Sequence, residues 1–167
     1  MIELLTKKNY LAMIRNAAKG ENHMFQNFYA EVDGTEKDLN RDGALGCAIV
    51  ASSILYLQNS LLEFLKKPKL IQFVHANVPS TEKDMLENGW QEISELKEGA
   101  VIVWEPKTGA DNTPHLHMGF YLNDQEAMSN DSNGNGMPSI HHPTFGTNSD
   151  GSPIRKIIRI YWHSALD

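Results

Sequence analysis

The chain has a single cysteine, Cys47, which excludes an intramolecular disulfide and a cysteine-based zinc site. Long apolar runs are also missing. The longest stretch, Ala44 to Leu57, contains Ser52 and Ser53 and falls short of the ~20 residues that cross a bilayer. The N-terminal segment spaces its apolar residues helically and offers no small-residue cleavage site, so neither a signal peptide nor a membrane partner is expected. Basic residues are outnumbered, 15 against 21 acidic, and the net charge of -6 repels phosphate backbones, which argues against a nucleic-acid partner. The one basic cluster, Arg155, Lys156 and Arg159, reads as the solvated face of a strand. Aromatic residues are few, 8%, and Trp90, Trp104 and Trp162 read as core or sheet-edge residues rather than ligand platforms.

What is present is enough for one core: 167 residues, of which 41% are apolar. A single domain over 1–167 is expected, with 1–40 as an N-terminal extension of that domain. Leu5, Leu11, Ile14 and Ala18 mark an amphipathic helix that stops near Gly20. Residues 21–43 read as a long ordered loop with one short strand at Phe28 to Val32. From Cys47 the apolar residues Val50, Ala51, Ile54, Leu61, Leu62 and Leu65 keep a period near 3.6, which predicts a long helix to about Lys66, before Pro68. A further helix opens with Ser80 or Thr81 as its N-cap and stops at Gly89.

Beyond Gly89 the period changes to two. Strands are expected at Gln91 to Ile93, Ala100 to Glu105, His115 to Leu122, Glu126 to Ser129 and Ile154 to Trp162. Helices first and strands second define an α+β domain, an antiparallel sheet packed on the Cys47 helix. Residues 130–151, rich in Gly and Asn, read as a long loop of the kind that carries function.

Chemistry concentrates in the second half. His115, His117, His141 and His142 fall within 28 residues, and residues 105–152 hold six acidic side chains but one basic. Alternation along His115 to Leu122 puts Leu116, Met118, Phe120 and Leu122 on the core face and His115, His117, Gly119 and Tyr121 on the other. A thiol at a helix N-terminus beside an imidazole is lowered in pKa and becomes an activated nucleophile. A buried lone cysteine is equally well a small core hydrophobe. On composition and spacing alone the two readings of Cys47 balance.

Three motifs in order shift that balance. Gly46-Cys47-Ala48-Ile49-Val50-Ala51-Ser52-Ser53 resembles the nucleophile helix of the NlpC-type and CHAP (cysteine, histidine-dependent amidohydrolase/peptidase) families. Gly89-Trp90 with Leu96-Lys97-Glu98-Gly99-Ala100-Val101-Ile102-Val103-Trp104 is similar to their "GW…lkpGDvvvw" strand, and His117-Met118-Gly119-Phe120-Tyr121 to their "HvGiY" strand. Gly46 stands where NlpC-type proteins have Asp, and Gly99-Ala100 where the family has Gly-Asp, so a divergent member on the CHAP side fits best. The resemblance implies a papain-like fold and a bacterial cysteine peptidase or amidase, cofactor-free and monomeric, that acts on peptide or peptidoglycan amides.

Carried over, Cys47 is the nucleophile and His117 the general base. A third polar residue that orients the imidazole falls at Ser129, which has the better register, or Asn130, which has the better chemistry. Asn40 is the candidate oxyanion donor beside the Cys47 N–H, and His115 and Tyr121 are the candidate substrate contacts. Two other readings remain in view. One is a binding module that kept the fold and lost turnover; the other is a metal-binding protein using His115, His117 and one of His141 and His142.

Overall fold

The computed structural model describes residues 3–109 and 112–167. Helix α1 (Thr6–Ala17) is followed by a hairpin of β1 (Tyr29–Val32) and β2 (Thr35–Asp38), then helices α2 (Cys47–Phe64) and α3 (Val78–Glu87). Strands β3 (Gln91–Glu92), β4 (Val101–Thr108), β5 (Pro114–Asn123), β6 (Glu126–Asn130), β7 (Pro138–His141) and β8 (Ile157–Trp162) follow. These six form one sheet in the order β3-β8-β4-β5-β6-β7, and each neighbouring pair is antiparallel. The architecture is α+β, with helices and antiparallel sheet segregated along the chain.

The buried stripe of α1 is Tyr10, Ile14 and Ala17, displaced from the expected one: Leu5 is exposed, and the Tyr10 hydroxyl instead reaches the Gly99 carbonyl at 2.9 Å. That bond satisfies a buried polar tip and ties α1 to the entry of β4. Helix α2 packs on β5 and β6 and buries Ile49, Val50, Ile54, Leu55 and Leu62, each side chain contributing about 1.5–3 kcal/mol on burial. It ends at Phe64, just before Lys66, whose φ of 56° is left-handed. By length and composition α2 could cross a bilayer, but 61% of it is buried inside the fold, and its apolarity is that of a core helix.

Helix α3 is capped by Asn77, not by Ser80 or Thr81: the Asn77 side chain accepts the Ser80 N–H at 2.8 Å. Asn cannot be told from Ser as an N-cap by composition, and Pro79 in the first turn favours the earlier start. His75, which shows no partner pattern in sequence, meets Asp84 at 2.6 Å; the Asp84 carboxylate also receives the Gln72 and Phe73 N–H groups. This clamp fixes the α2–α3 connection.

Two elements escape the sequence pattern. Strand β2 pairs with β1 across Asp33-Gly34, both at positive φ, in the turn chemistry that twists with the strands. Strand β7 lies within the polar segment read as loop; it is a short edge strand whose ladder partner is β6.

Both faces of the sheet are covered. Val101, Val103, Met118, Phe120 and Met128 face the core with α2. Ile102, Trp104, Tyr121 and Ala127 form a second cluster on the opposite face, packed by Phe145 and Ile157. Around Trp104 the face that carries His117 is therefore packed, and Val101 to Trp104 of β4 read as a continuous apolar run because both of their faces are covered.

Candidate active site

Cys47 begins α2 and is 7% exposed. The turn before it is closed by the Gly46 N–H on the Gly43 carbonyl, and the Asn130 amide donates to that same carbonyl at 2.6 Å. A Cβ at Gly46 would stand 3.2 Å from Asn130 Nδ2, so a side chain there would require the Asn130 amide to give by a few tenths of an ångström. Behind this turn two backbones touch: a Cβ on Gly43 would lie 2.1 Å from the Gly136 carbonyl oxygen, and one on Gly136 2.2 Å from that of Asp42. The contact seats the turn before Cys47 against the β6–β7 loop.

His117 lies on β5 opposite Trp104 of β4, with ring centroids 5.3 Å apart, and is 5% exposed. Its Nε2 meets Ser129 Oγ at 2.8 Å. The register that pairs Gly119 with Ser129 produces this contact, because a glycine there lets β6 approach without a side chain between the strands. Ser129 Oγ in turn meets His141 Nε2 at 2.7 Å, and His141 Nδ1 meets the His142 carbonyl at 2.8 Å. The His141 ring stacks on Phe145, centroids 4.1 Å apart and planes 15° from parallel.

Cys47, His117, Asn130, His141, Phe145 and Arg155 line one cleft of about 860 Å³. Among the described residues no hydrogen bond joins the thiol to the imidazole; they share the cleft wall, with His117 Nδ1 the ring nitrogen left for it. Burial pushes the Cys47 thiol up, against the N–H groups of Met118, Ala48 and Cys47 itself and the positive charge of Arg155. Burial, then Arg155, then His141 press His117 down to about 3. Thiol and imidazole are consequently both neutral at neutral pH. The thiol lowered by a helix N-terminus, expected from sequence, is corrected: desolvation outweighs the oriented N–H groups.

The candidate third residues separate. Ser129 bonds His117, whereas Asn130 faces the α2 side and spends its amide nitrogen on Gly43. Asn40 is fully buried, gives its amide to the Phe25 carbonyl at 2.8 Å and lies outside the cleft lining, so it is not placed as an oxyanion donor. Tyr121 is at the far end of β5, its hydroxyl 2.5 Å from Asp124, and does not line the cleft. His115 does line it, at the rim, with Thr113 Oγ1 2.7 Å from its Nε2.

Among the described residues no group of three or more His, Cys, Asp or Glu is arranged to hold a metal. Ser129 stands between His117 and His141, and His142 Nδ1 accepts the Thr144 and Gly146 N–H groups.

Sequence reasoning missed four contributors: His141, Trp104, Phe145 and Arg155. Arg155 is no solvated strand residue. Its guanidinium donates to the Glu105 and His115 carbonyls at 2.9 Å each, and Arg159 is likewise taken, paired with Glu82. The adjacent His141-His142 pair was the available signal; nothing in the spacing pointed to Arg155. Comparison of the chain with protein families, curated proteins and solved structures gave no match.

Proposed function

We propose that the protein is a cysteine hydrolase, a peptidase or amidase of papain-like, NlpC/CHAP type, that cleaves amide bonds through a thioester. The observation that carries this reading is the placement of a lone thiol at a helix N-terminus in the same cleft as an imidazole whose far nitrogen is held by Ser129. The order of nucleophile, base and orienting residue across separate elements is the logic of a catalytic triad.

Because both groups rest neutral, the proton moves during attack rather than before it. A substrate carbonyl enters the cleft against the first turn of α2, where backbone N–H groups lacking intrahelical partners point at the developing oxyanion. The sulfur bonds to the carbonyl carbon as His117 Nδ1 takes its proton; nitrogen–substrate contacts of this kind commonly tighten only with substrate bound. Collapse of the tetrahedral adduct breaks the C–N bond, His117 returns the proton to the departing amine, and a thioester remains on Cys47. Water then gives its proton to His117 and its oxygen to the acyl carbon, releasing a carboxylic acid and restoring the thiol. Peptide or peptidoglycan-type amides are the proposed substrates, on the strength of the motif resemblance.

The test is an acyl-enzyme trap. Incubated with an activated acyl ester, the wild-type chain should gain one acyl mass on Cys47 by peptide mass spectrometry, and Cys47→Ala and His117→Ala should gain none. Hydrolysis of a peptide-amide or muropeptide panel should vanish in the same variants. Turnover that survives Cys47→Ala sinks the thiol mechanism.

A further inference from the structure

Beyond the triad, a chain of hydrogen bonds runs from the cleft imidazole to a backbone carbonyl, and its far end dictates where every proton in it lies. The His142 carbonyl can only accept, so His141 Nδ1, 2.8 Å away, must carry the hydrogen. A neutral His141 then has a bare Nε2, and Ser129 Oγ at 2.7 Å must donate its single hydrogen there. With that hydrogen spent, Ser129 can meet His117 Nε2 at 2.8 Å only as acceptor, so His117 carries its hydrogen on Nε2. What is left on His117 is a bare Nδ1, on a ring that lines the cleft.

We infer that His141 is a positioning residue: anchored on the His142 carbonyl, it acts through Ser129 to hold His117 in the one neutral tautomer whose Nδ1 can accept a proton. A serine alone cannot do this, because a hydroxyl donates and accepts with equal ease and would bond either tautomer. His141 removes that freedom. Its ring is immobilised by the stack on Phe145 and by Trp104, 5.7 Å between centroids, so the acceptor stays aimed at Ser129. The inference rests on the hydrolase reading for its purpose, but the proton order it states is a property of the resting protein.

The groups facing His141 set when the order holds. Burial and the neighbouring His142 keep its pKa below the ordinary histidine value, against the His142 carbonyl and the charge of Asp131, which favour the cation. His117 across Ser129 stays neutral. As pH falls through the His141 pKa, Nε2 gains a proton, Ser129 loses its acceptor, and the order is no longer imposed.

Nitrogen-15 NMR of histidine-labelled protein at neutral pH, read beside the rate of Cys47 acylation by an activated ester, tests this. The wild type should show His117 protonated on Nε2 and bare on Nδ1. His141→Phe, which keeps the ring stack and deletes the acceptor, should give mixed His117 tautomers and acylation about tenfold slower or more, within the ~10²–10⁴ that a general base contributes. His141→Gln, whose amide oxygen can replace Nε2 as acceptor, should restore both. Ser129→Ala should reproduce the mixture and carries the test if His141→Phe does not fold. A wild-type His117 with its proton on Nδ1, or a single unchanged tautomer in folded His141→Phe and Ser129→Ala, overturns the inference. Absence of acylation in a wild type with the expected tautomer sinks the hydrolase reading instead and leaves the proton order standing.

Discussion

Adding one methyl group to β5 should disconnect His117 from Ser129. A Cβ built on Gly119 would sit 2.2 Å from the Met128 carbonyl oxygen and 2.8 Å from Ser129 Cβ, where 3.0 Å is the closest approach that real Cβ atoms show. The carbonyl is part of the β5–β6 ladder and has no rotamer to change, so β6 must give by about 0.8 Å to bring 2.2 Å to 3.0 Å. The same displacement along the His117–Ser129 line takes a 2.8 Å hydrogen bond to about 3.6 Å, past the range in which one exists. Overpacking of this kind costs about 1–3 kcal/mol of stability. Gly119→Ala should therefore unfold at lower denaturant with an unchanged slope, and acylate Cys47 no faster than Ser129→Ala, since both lack the same bond. Denaturant melts and ester-acylation rates on the three proteins check this. A Gly119→Ala protein within 0.5 kcal/mol of wild type that acylates at the wild-type rate would refute the reasoning, because the strands would have absorbed the methyl without moving Ser129.

Alkylation of Cys47 by a neutral haloacetamide, followed against pH, should reach its midpoint above that of a free thiol, as burial dictates; a midpoint below about pH 8.5 would mean a preformed thiolate and contradict the neutral resting pair. Arg155→Met removes a positive charge that presses the His117 pKa down and helps to favour the Cys47 thiolate, so the imidazole should titrate higher and the thiol higher still, both readable by NMR. It also removes the two hydrogen bonds that Arg155 gives to the Glu105 and His115 carbonyls, and a melt should show a loss of about 1–3 kcal/mol. Asp84 has its carboxyl pKa lowered by the His75 hydrogen bond and the Gln72 and Phe73 N–H groups against burial. A depressed carboxylate contributes stability above its unfolded pKa of ~3.9 that is lost as pH falls through its folded value. Asp84→Asn should therefore flatten the acid limb of the stability profile, and an unchanged limb would rule the clamp out as its source.

The sequence made the helices and most strands legible because their signals are local: a 3.6-residue period from Cys47 to Leu62, alternation at His115 to Leu122, and Gly or Pro at the breaks. Strand β7 was not legible, since four residues paired on one edge carry no period of their own. What lies against the His117 face was not legible for a related reason. Alternation separates two faces of a strand but does not say what covers the second one, and here Phe145 arrives from a loop that sequence spacing places nowhere. Within the site, Cys47, His117 and Ser129 were recoverable from motif order and register. His141 was legible only as one of a histidine pair, and Arg155 was not legible, because its contacts depend on acceptors that are backbone carbonyls, and a carbonyl is the same at every position.

Helix α2 supplies Cys47 and the centre of the core at once, and this sets a timetable for synthesis. The strand that covers it, β5, starts at Pro114, some 50 residues after α2 ends at Phe64. At about 5–20 residues per second that distance is roughly 3–10 s of translation. For that interval the growing chain carries an 18-residue apolar helix, reactive thiol included, with no sheet to bury it. Contacts so distant in sequence make the closing step slow. The period of greatest hazard for this protein, to aggregation and to oxidation of its one thiol, falls before the cleft around Cys47 exists.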